Sequence, residues 1–523
     1  MAVGLKTKAE KAAVMTGAAV SPEQAQPPLV IALDFGTSSI RAVVFDSAGR
    51  VIRGLESRQK NLIEIDLTGA FEADPGRLIK KAWLCLDEVL LKAGKLADQI
   101  GGVSCCTFVS NVMGIDAAGR AVTPLVLYGD TRAAPQAEAL REKLDEAYFH
   151  QRTGTRFHAS YLPARFLWWQ QEQPETFRRV RRWISIGEYL LMNLFGSAAV
   201  SYSVASWTGM LNRRKLDWDD ELLAALPVER EQLSPLVDAD HAWQGLSQSF
   251  AARWPARRSA KWFPAIGDGA AANLGSGAGE RTGSMPQRIA ISMGTSSAAR
   301  MVITQPDVTL PPGLWCYRVD RRRSLLGGAM TEGGSVYAWF RKILNLEGIG
   351  DLEQALAGIP PAAHGLTFLP LISGERSPGW VSDARGAITG LSLATTPLDL
   401  LRAGLEAVAC RIALVYQLLQ ETAGLAAGTQ AVEIIASGGA IQSSPVWQGI
   451  LADALGQPLY LSQVPETSTR GSVLLALEAM GEIDDAASLP VYASLAAVPD
   501  PTRHAIYQEV IARQKDLYHK LVR

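Results

Sequence analysis

The sequence predicts an α/β protein in which two related domains face each other across a central cleft. Two observations carry that prediction. Residues 30–46, VIALDFGTSSIRAVVFD, join two apolar, β-rich runs through a Gly-Thr-Ser-Ser turn, and residues 288–303, RIAISMGTSSAARMVI, repeat the pattern. Such a turn makes a hairpin whose backbone N–H groups and hydroxyls converge on an anion. Self-similarity at long period is what duplicated domains leave in sequence. One copy alone also admits the plainer reading of an ordinary Gly-Ser hairpin; two copies imply phosphate hairpins and a nucleotide between the halves. Asp34, at the end of the first strand, is placed to hold a divalent metal beside that anion.

Size and composition set the outer limits. A chain of 523 residues is too long for one core and implies two domains. We divide it into a tail at 1–28, a first domain at 29–284 and a second at 285–523. With 48% apolar residues, 20% charged residues and a net charge of −1, no basic field argues for nucleic acid or an anionic membrane. Five scattered cysteines suit a reducing, cytoplasmic compartment and supply neither a disulfide framework nor Cys-x-x-Cys zinc spacing. No apolar run approaches the roughly 20 residues needed to span a bilayer. Residues 1–28, rich in Ala, Lys, Gln and Pro, read as a flexible tail and not a signal peptide.

Within the first domain, residues 30–56 read as three strands, with Ser47, Ala48 and Gly49 turning the second into the third. A helix is expected over 72–93, with Pro75 near its start, and strand and loop over 101–115. Residues 124–132, PLVLYGDTR, form a short strand that delivers Tyr128, Asp130 and Arg132 at its carboxyl end, where α/β sheets bind ligands. Asp130 and Arg132 read equally as a structural ion pair. His158 and Tyr161 are candidates to line a polar pocket, although a core aromatic cluster explains their neighbourhood too. Residues 183–195 read as strand to helix, 201–212 as polar loop and strand, and 213–262 as helical. In 263–279, FPAIGDGAAANLGSGAG, Asp268 stands between two glycines that open the backbone to a ligand, just before a helix N-terminus that favours its ionised form. The commoner role there is an Asp N-cap.

The second domain begins with the repeated hairpin. Residues 324–334, SLLGGAMTEGG, carry glycines expected to let backbone approach a ligand, and a helix follows over 336–344. Residues 368–385, FLPLISGERSPGWVSDAR, are a long irregular segment carrying Glu375, Arg376, Asp383 and Arg385, functional by its length or a salt-bridge cluster. The clearest helix follows: Thr396 as N-cap, Pro397 first, and an apolar face of Leu398, Leu401, Leu405, Val408, Ile412 and Val415. Residues 432–456 pass from strand through Gly438 and Gly439 to a helix opened by Ser444 and Pro445, a geometry that offers close approach and free N–H donors to a nucleotide. A strand at 458–462 and a helix at 469–480 complete the pattern.

Four stretches, DFGTSSIRAVVFD, GDGAAANLGSG, MGTSSAAR and SGGAIQSSPVWQGILADALG, in this order and spacing, resemble the FGGY family of carbohydrate kinases from about Val30 to the end of the chain. The segments around 157–165, SIGEYLLMNLFG and GERSPGWVSDARG look most like its gluconokinase branch. The resemblance implies two ribonuclease H-like domains of the actin and hexokinase superfamily, with ATP in the cleft. It implies Asp268 as general base, accepting the proton of a sugar hydroxyl that attacks the γ-phosphate of Mg2+-bound ATP in line. Asp34 would hold the Mg2+; Gly36, Thr37, Ser38, Ser39, Gly294, Thr295 and Ser296 would contact phosphates; Gly438, Gly439, Ala440 and Ser443 would frame the adenosine.

Two departures bear on the acceptor. Many members carry Met-His-Gly where this chain has Val109, Ser110 and Asn111, and Trp-Asn-Asp where it has Tyr128, Gly129 and Asp130. Ser110, Asn111, Asp130, Arg132, His158 and Tyr161, with Asp268, are the expected substrate contacts. The reading is an ATP-dependent kinase of a small sugar, polyol or aldonate, gluconate first, with Arg132 or Arg156 neutralising an aldonate carboxylate. The alternatives are a ketopentose or polyol kinase, an actin-fold ATPase acting as chaperone or regulator, and a sugar-binding regulator without turnover. A homodimer is compatible with the sequence.

Overall fold

The computed structural model describes residues 17–257, 259–278, 287–305, 307–425, 432–464 and 466–522. The first sheet has six strands: β1 (Ala19–Val20), β2 (Leu29–Phe35), β3 (Ser39–Phe45), β4 (Val51–Lys60), β5 (Ile100–Thr107) and β6 (Lys261–Gly267), in the order β1-β4-β3-β2-β5-β6. The second has seven: β7 (Gln287–Met293), β8 (Ser297–Ile303), β9 (Trp315–Arg318), β10 (Ser324–Met330), β11 (Val432–Ser437), β12 (Leu459–Ser462) and β13 (Ala493–Ala497), in the order β9-β10-β8-β7-β11-β12-β13. The duplication seen in the hairpins extends to the topology. β4-β3-β2 are antiparallel and β2-β5-β6 parallel, and β10-β8-β7 and β7-β11-β12 follow the same two senses.

Six helices place the site: α1 (Pro75–Ala93), α2 (Asp268–Gly275), α3 (Pro397–Thr422), α4 (Pro445–Leu455), α5 (Thr467–Met480) and α6 (Pro501–Leu521). α1 starts at its Asp74 cap, which accepts from the Arg77 N–H at 2.8 Å; residues 71–73 before it are a strand and not helix. α3 begins where the sequence puts it, with Thr396 and Asp399 in a reciprocal capping box. Its Leu401, Leu405, Val408, Ile412 and Val415 are buried in the second core beside β8 and β10.

Three expectations change. Residues 17–28 are not a tail: Ala18, Ala19 and Val20 are buried, and β1 adds a parallel edge strand to Val51 and Ile52 of β4. Residues 1–16 lie outside the described residues. The stretch 213–262 holds only short helices, at Asp220–Leu223 and Gln248–Arg253, among two-residue strands and turns. Pro227, Pro235 and Pro255 interrupt it, and Trp218, Trp254 and Trp262 anchor it to the core. Residues 202–206, read as loop, form one helical turn capped by the Ser201 hydroxyl.

The boundary drawn at 284 and 285 lies outside the described residues, and one element crosses it. α5, from the second half, covers the first sheet. Its Val473, Ala476 and Leu477 pack with Val30, Ala32, Val43 and Phe45, and the hydroxyls of Ser472 and Ser104 meet at 3.0 Å. α2 and α5 touch backbone to backbone: a Cβ on Gly471 would lie 1.8 Å from the Ala271 carbonyl, and one on Gly275 1.8 Å from that of Thr467.

Candidate active site

Parallel pairing of β2, β5 and β6 brings three carboxyl ends together, with Asp34 opposite Cys106 and Gly267 opposite Thr107. Asp34 is buried; one oxygen pairs with Arg41, which also pairs with Glu466, and the other accepts from the Cys106 thiol at 3.2 Å. Burial pushes that thiol well up, so it remains a donor. Asp268 is the first residue of α2, with Gly267 in the cap position, so it does not serve as N-cap. Its carboxyl is pushed up to about 7 by burial and by the nearby Asp34, against a smaller opposing pull from Arg300. A base titrating near neutrality suits proton abstraction from a hydroxyl. The glycines beside it lie close to the Trp207 indole, with a Cβ on Gly267 2.8 Å from its ring nitrogen and one on Gly269 3.3 Å from the ring, and Gly269 also lines the cavity described next.

Asp268 opens into a cavity of about 260 Å3 between the halves, which Thr37 of the first hairpin and Ser296 of the second also line. His158, Tyr161 and Ser110 stand in its wall as expected. The His158 Nδ1 accepts the Ser160 backbone N–H at 3.1 Å, which assigns the hydrogen to Nε2. Burial and then Arg376 push His158 down to about 4, so the ring is neutral. Tyr161 bonds through its hydroxyl to that of Tyr317 across the two halves. The Ser110 hydroxyl donates to the Trp207 carbonyl at 2.7 Å, and the residue holds a φ of 52°. Buried Arg165 ties that loop to its neighbours through the carbonyls of Ser110, Leu127 and Ala159.

Sequence reasoning missed half of this wall. Trp207 stacks on Tyr317 with ring centroids 3.5 Å apart, and Trp380 meets His158 edge on. Arg300 and Arg376 also line the cavity, and the Nε of each is buried without a hydrogen-bond partner among the described residues, as is the ring nitrogen of Trp207 and of Trp380. The repeated hairpin held a hint: Arg300 stands on β8 three residues past its Gly-Thr-Ser-Ser turn, where the first copy has Ala42.

The two Gly-Thr-Ser-Ser turns close as hairpins. Gly36 closes its turn to the Ser39 carbonyl at 3.0 Å, and Gly294 closes its own to Ser296 at 3.0 Å. Ser38, Gly294, Thr295 and Ser296 are exposed, whereas Ser39 is buried as the first residue of β3. β7 and β11 run parallel, so Gly438 follows β11 beside the second hairpin. Gly438 adopts a φ of 102°, and a Cβ there would lie 2.4 Å from the Met293 carbonyl. Gly439 faces open space, Ala440 follows it in a single helical turn, and exposed Ser443 ends that turn. The glycines of 324–334 approach protein and not ligand: a Cβ on Gly333 would lie 2.7 Å from the Ser296 backbone, and one on Gly334 2.7 Å from the Gly294 carbonyl.

Four expected contacts do not reach the cavity. Asn111 is buried between the Phe108 carbonyl and the Ile186 N–H, where it fastens the start of a helix. Asp130 accepts from the Phe71 and Arg132 backbones and from the Arg132 guanidinium, which also pairs with Glu72 and lies 4.4 Å over the Trp168 ring. That closed network is the structural ion pair. Arg156 is spent likewise on Glu146.

Residues 29–275 match the family model described as the N-terminal domain of the FGGY family of carbohydrate kinases, and residues 289–480 match its C-terminal domain. A gluconokinase of Bacillus subtilis is 28% identical over 471 residues, covering 87% of this chain and 88% of its own. A glycerol kinase of Stenotrophomonas maltophilia is 29% identical, covering 87% and 90%. The crystal structure of a gluconate kinase from Lactobacillus acidophilus superimposes with a TM-score of 0.84 at 23% identity, covering 94% and 98%, which shows the shared fold.

Proposed function

From its place in the FGGY family of carbohydrate kinases, to which this chain belongs, we propose that the protein transfers the γ-phosphoryl group of ATP to a hydroxyl of gluconate or a closely similar aldonate. The observation that carries the acceptor is the charge of the cavity. Two guanidinium groups, Arg300 and Arg376, line it against the single carboxylate of Asp268. With Arg300 turned to the phosphoryl group, a neutral polyol would leave the charge and N–H donors of Arg376 unmatched, at a cost, whereas an aldonate brings an acceptor-only carboxylate. The named gluconokinase relative supports the same reading.

In this reading Asp268 takes the proton of the acceptor hydroxyl as its oxygen bonds to the γ-phosphorus and the bond to the ADP oxygen breaks. Positioning and charge stabilisation dominate such a transfer. Arg300, on the strand leaving the second hairpin, faces the migrating phosphoryl charge, and the two hairpins hold the polyphosphate. Gly438 and Gly439 leave room for the adenosine side. No cluster of three or more metal-ligating side chains exists among the described residues. That fits magnesium, which takes one or two carboxylates and completes its shell with water and phosphate. Asp34 would hold it, through water because both carboxylate oxygens are already engaged, and the ion would neutralise charge on the β- and γ-phosphates.

The test is ADP release from the purified protein with Mg-ATP across gluconate, other aldonates, xylulose, ribulose, erythritol and glycerol. Strong turnover with an aldonate is expected. A ketopentose or polyol as the strongest acceptor overturns the aldonate reading, and acceptor-independent hydrolysis overturns the transfer itself.

A further inference from the structure

Resting on that reading, we propose that Arg376 is the residue that binds the acceptor's carboxylate and so selects an acid over a neutral sugar, and that Glu375 positions it from behind. The two neighbours point opposite ways. Arg376 faces the cavity beside His158 and Trp380. Glu375 turns into the core, its side chain fully buried, where it pairs with Arg411 of α3 and accepts from the Tyr518 hydroxyl of α6 at 2.6 Å.

The segment between is wound around that carboxylate. Glu375 accepts from the Gly379 N–H at 3.2 Å and the Val381 N–H at 3.4 Å, and its own N–H reaches the Val381 carbonyl at 3.0 Å. Ser377 ties the segment to the Ala329 backbone of β10 in both directions. Within this frame Trp380 is held at a φ of 60°, and the Arg376 backbone carbonyl accepts its N–H at 2.6 Å. A non-glycine residue in the left-handed region persists only where its surroundings over-determine it, and such strain gathers at ligand clamps.

The chemistry of this wall suits an oxyanion, and on an aldonate acceptor that is its carboxylate. Arg376 gives one guanidinium nitrogen to the Met330 carbonyl at 3.1 Å and meets no carboxylate among the described residues. His158 contributes a neutral ring with its hydrogen on Nε2, and the Trp380 ring nitrogen has no hydrogen-bond partner among the described residues. Arg300 is less suited, since the Asp268 carboxylate acts on its charge and it bonds to Ser292 at 3.3 Å. The acid's carboxylate therefore sits at the Arg376 side, with the reacting hydroxyl at Asp268.

Steady-state kinetics of Arg376→Met, Arg376→Lys and Tyr518→Phe test this, with gluconate and with the neutral alditol of the same chain length. Arg376→Met is expected to raise the KM for gluconate about 100-fold, the loss of a hydrogen-bonded charge pair. The loss in kcat/KM with gluconate should exceed any loss with the alditol at least tenfold, and Arg376→Lys should recover part of the gluconate affinity. Tyr518→Phe, which removes one hydroxyl outside the cavity, should raise the gluconate KM by about tenfold with kcat retained. A gluconate KM within threefold of the parent in Arg376→Met, or equal losses for acid and alditol, overturns the role of Arg376. An unchanged gluconate KM in Tyr518→Phe and in Glu375→Gln overturns the positioning role. A parent protein that phosphorylates no aldonate overturns the proposed function and this inference together.

Discussion

In the proposed transfer Asp268 concentrates the chemistry in one carboxylate, and its surroundings set when it would work. Replacing it with Asn keeps the shape and removes the proton acceptor. Turnover of Asp268→Asn is expected to fall about 1,000-fold or more, with Mg-ATP affinity by calorimetry nearly intact; near-parental turnover would remove it as the base. A second residue ties the structure to pH. His150 is buried where the two halves meet, its ring bonded to the Leu314 carbonyl at 2.8 Å, and burial pushes it down to about 4. Arg156 and Arg213 add to that shift and Glu146 opposes it. The unfolded chain therefore binds this proton more readily, so the stability is complete above about 6.5 and is lost as pH falls towards 4. The loss at pH 5 is on the order of 2 kcal/mol. Melting temperatures of the parent and His150→Gln between pH 7 and 5 check it: the variant should show the shallower slope, and equal slopes would acquit His150. Asp34 and Asp268 were legible in the sequence because each stands in a short motif at a strand end. Arg300 and Arg376 were not legible as ligand-binding residues, because neither position distinguishes a surface arginine from one turned into a cavity.

At the scale of elements, the two glycines after β11 make a matched pair. Gly438 needs its positive φ and has the Met293 carbonyl where a Cβ would go, whereas Gly439 has open space. Gly438→Ala is expected to cost about 1–3 kcal/mol of stability and to distort the nucleotide side. Gly439→Ala should melt with the parent and raise only the KM for ATP. Differential scanning calorimetry with ATP kinetics separates them; if both variants melt alike, the backbone account of Gly438 fails. Long periodic elements such as α3 were readable because burial, cap and proline agree. The stretch 213–262 was misread because three prolines and the buried tryptophans tie it into irregular turns. Asn111, Asp130 and Arg132 were misplaced for a related reason. Their motif spacing is right for a strand end, yet backbone donors and Glu72 absorb their polar groups.

Across the whole molecule, α5 makes the two halves one unit. Gly471 lies against the Ala271 backbone too closely for any side chain. Gly471→Ala is therefore expected to cost about 3 kcal/mol or more, since backbone cannot yield as a side-chain tip can. Both halves should lose stability together in one calorimetric transition. Two separate transitions, with the second half unmoved, would show that α5 does not couple them. The halves also meet at the cavity, through Tyr161 on Tyr317 and Trp207 on Tyr317.

By itself the sequence determined the duplicated α/β architecture, the two Gly-Thr-Ser-Ser hairpins, the acid at each strand end and the family resemblance that implies a kinase. These are local patterns, fixed by hydrogen-bonding period and turn chemistry over a few residues. Only the tertiary structure decided which polar side chains face the cleft. That choice depends on what each group meets across hundreds of residues: Glu72 for Arg132, the core for Glu375, and open cavity for Arg376.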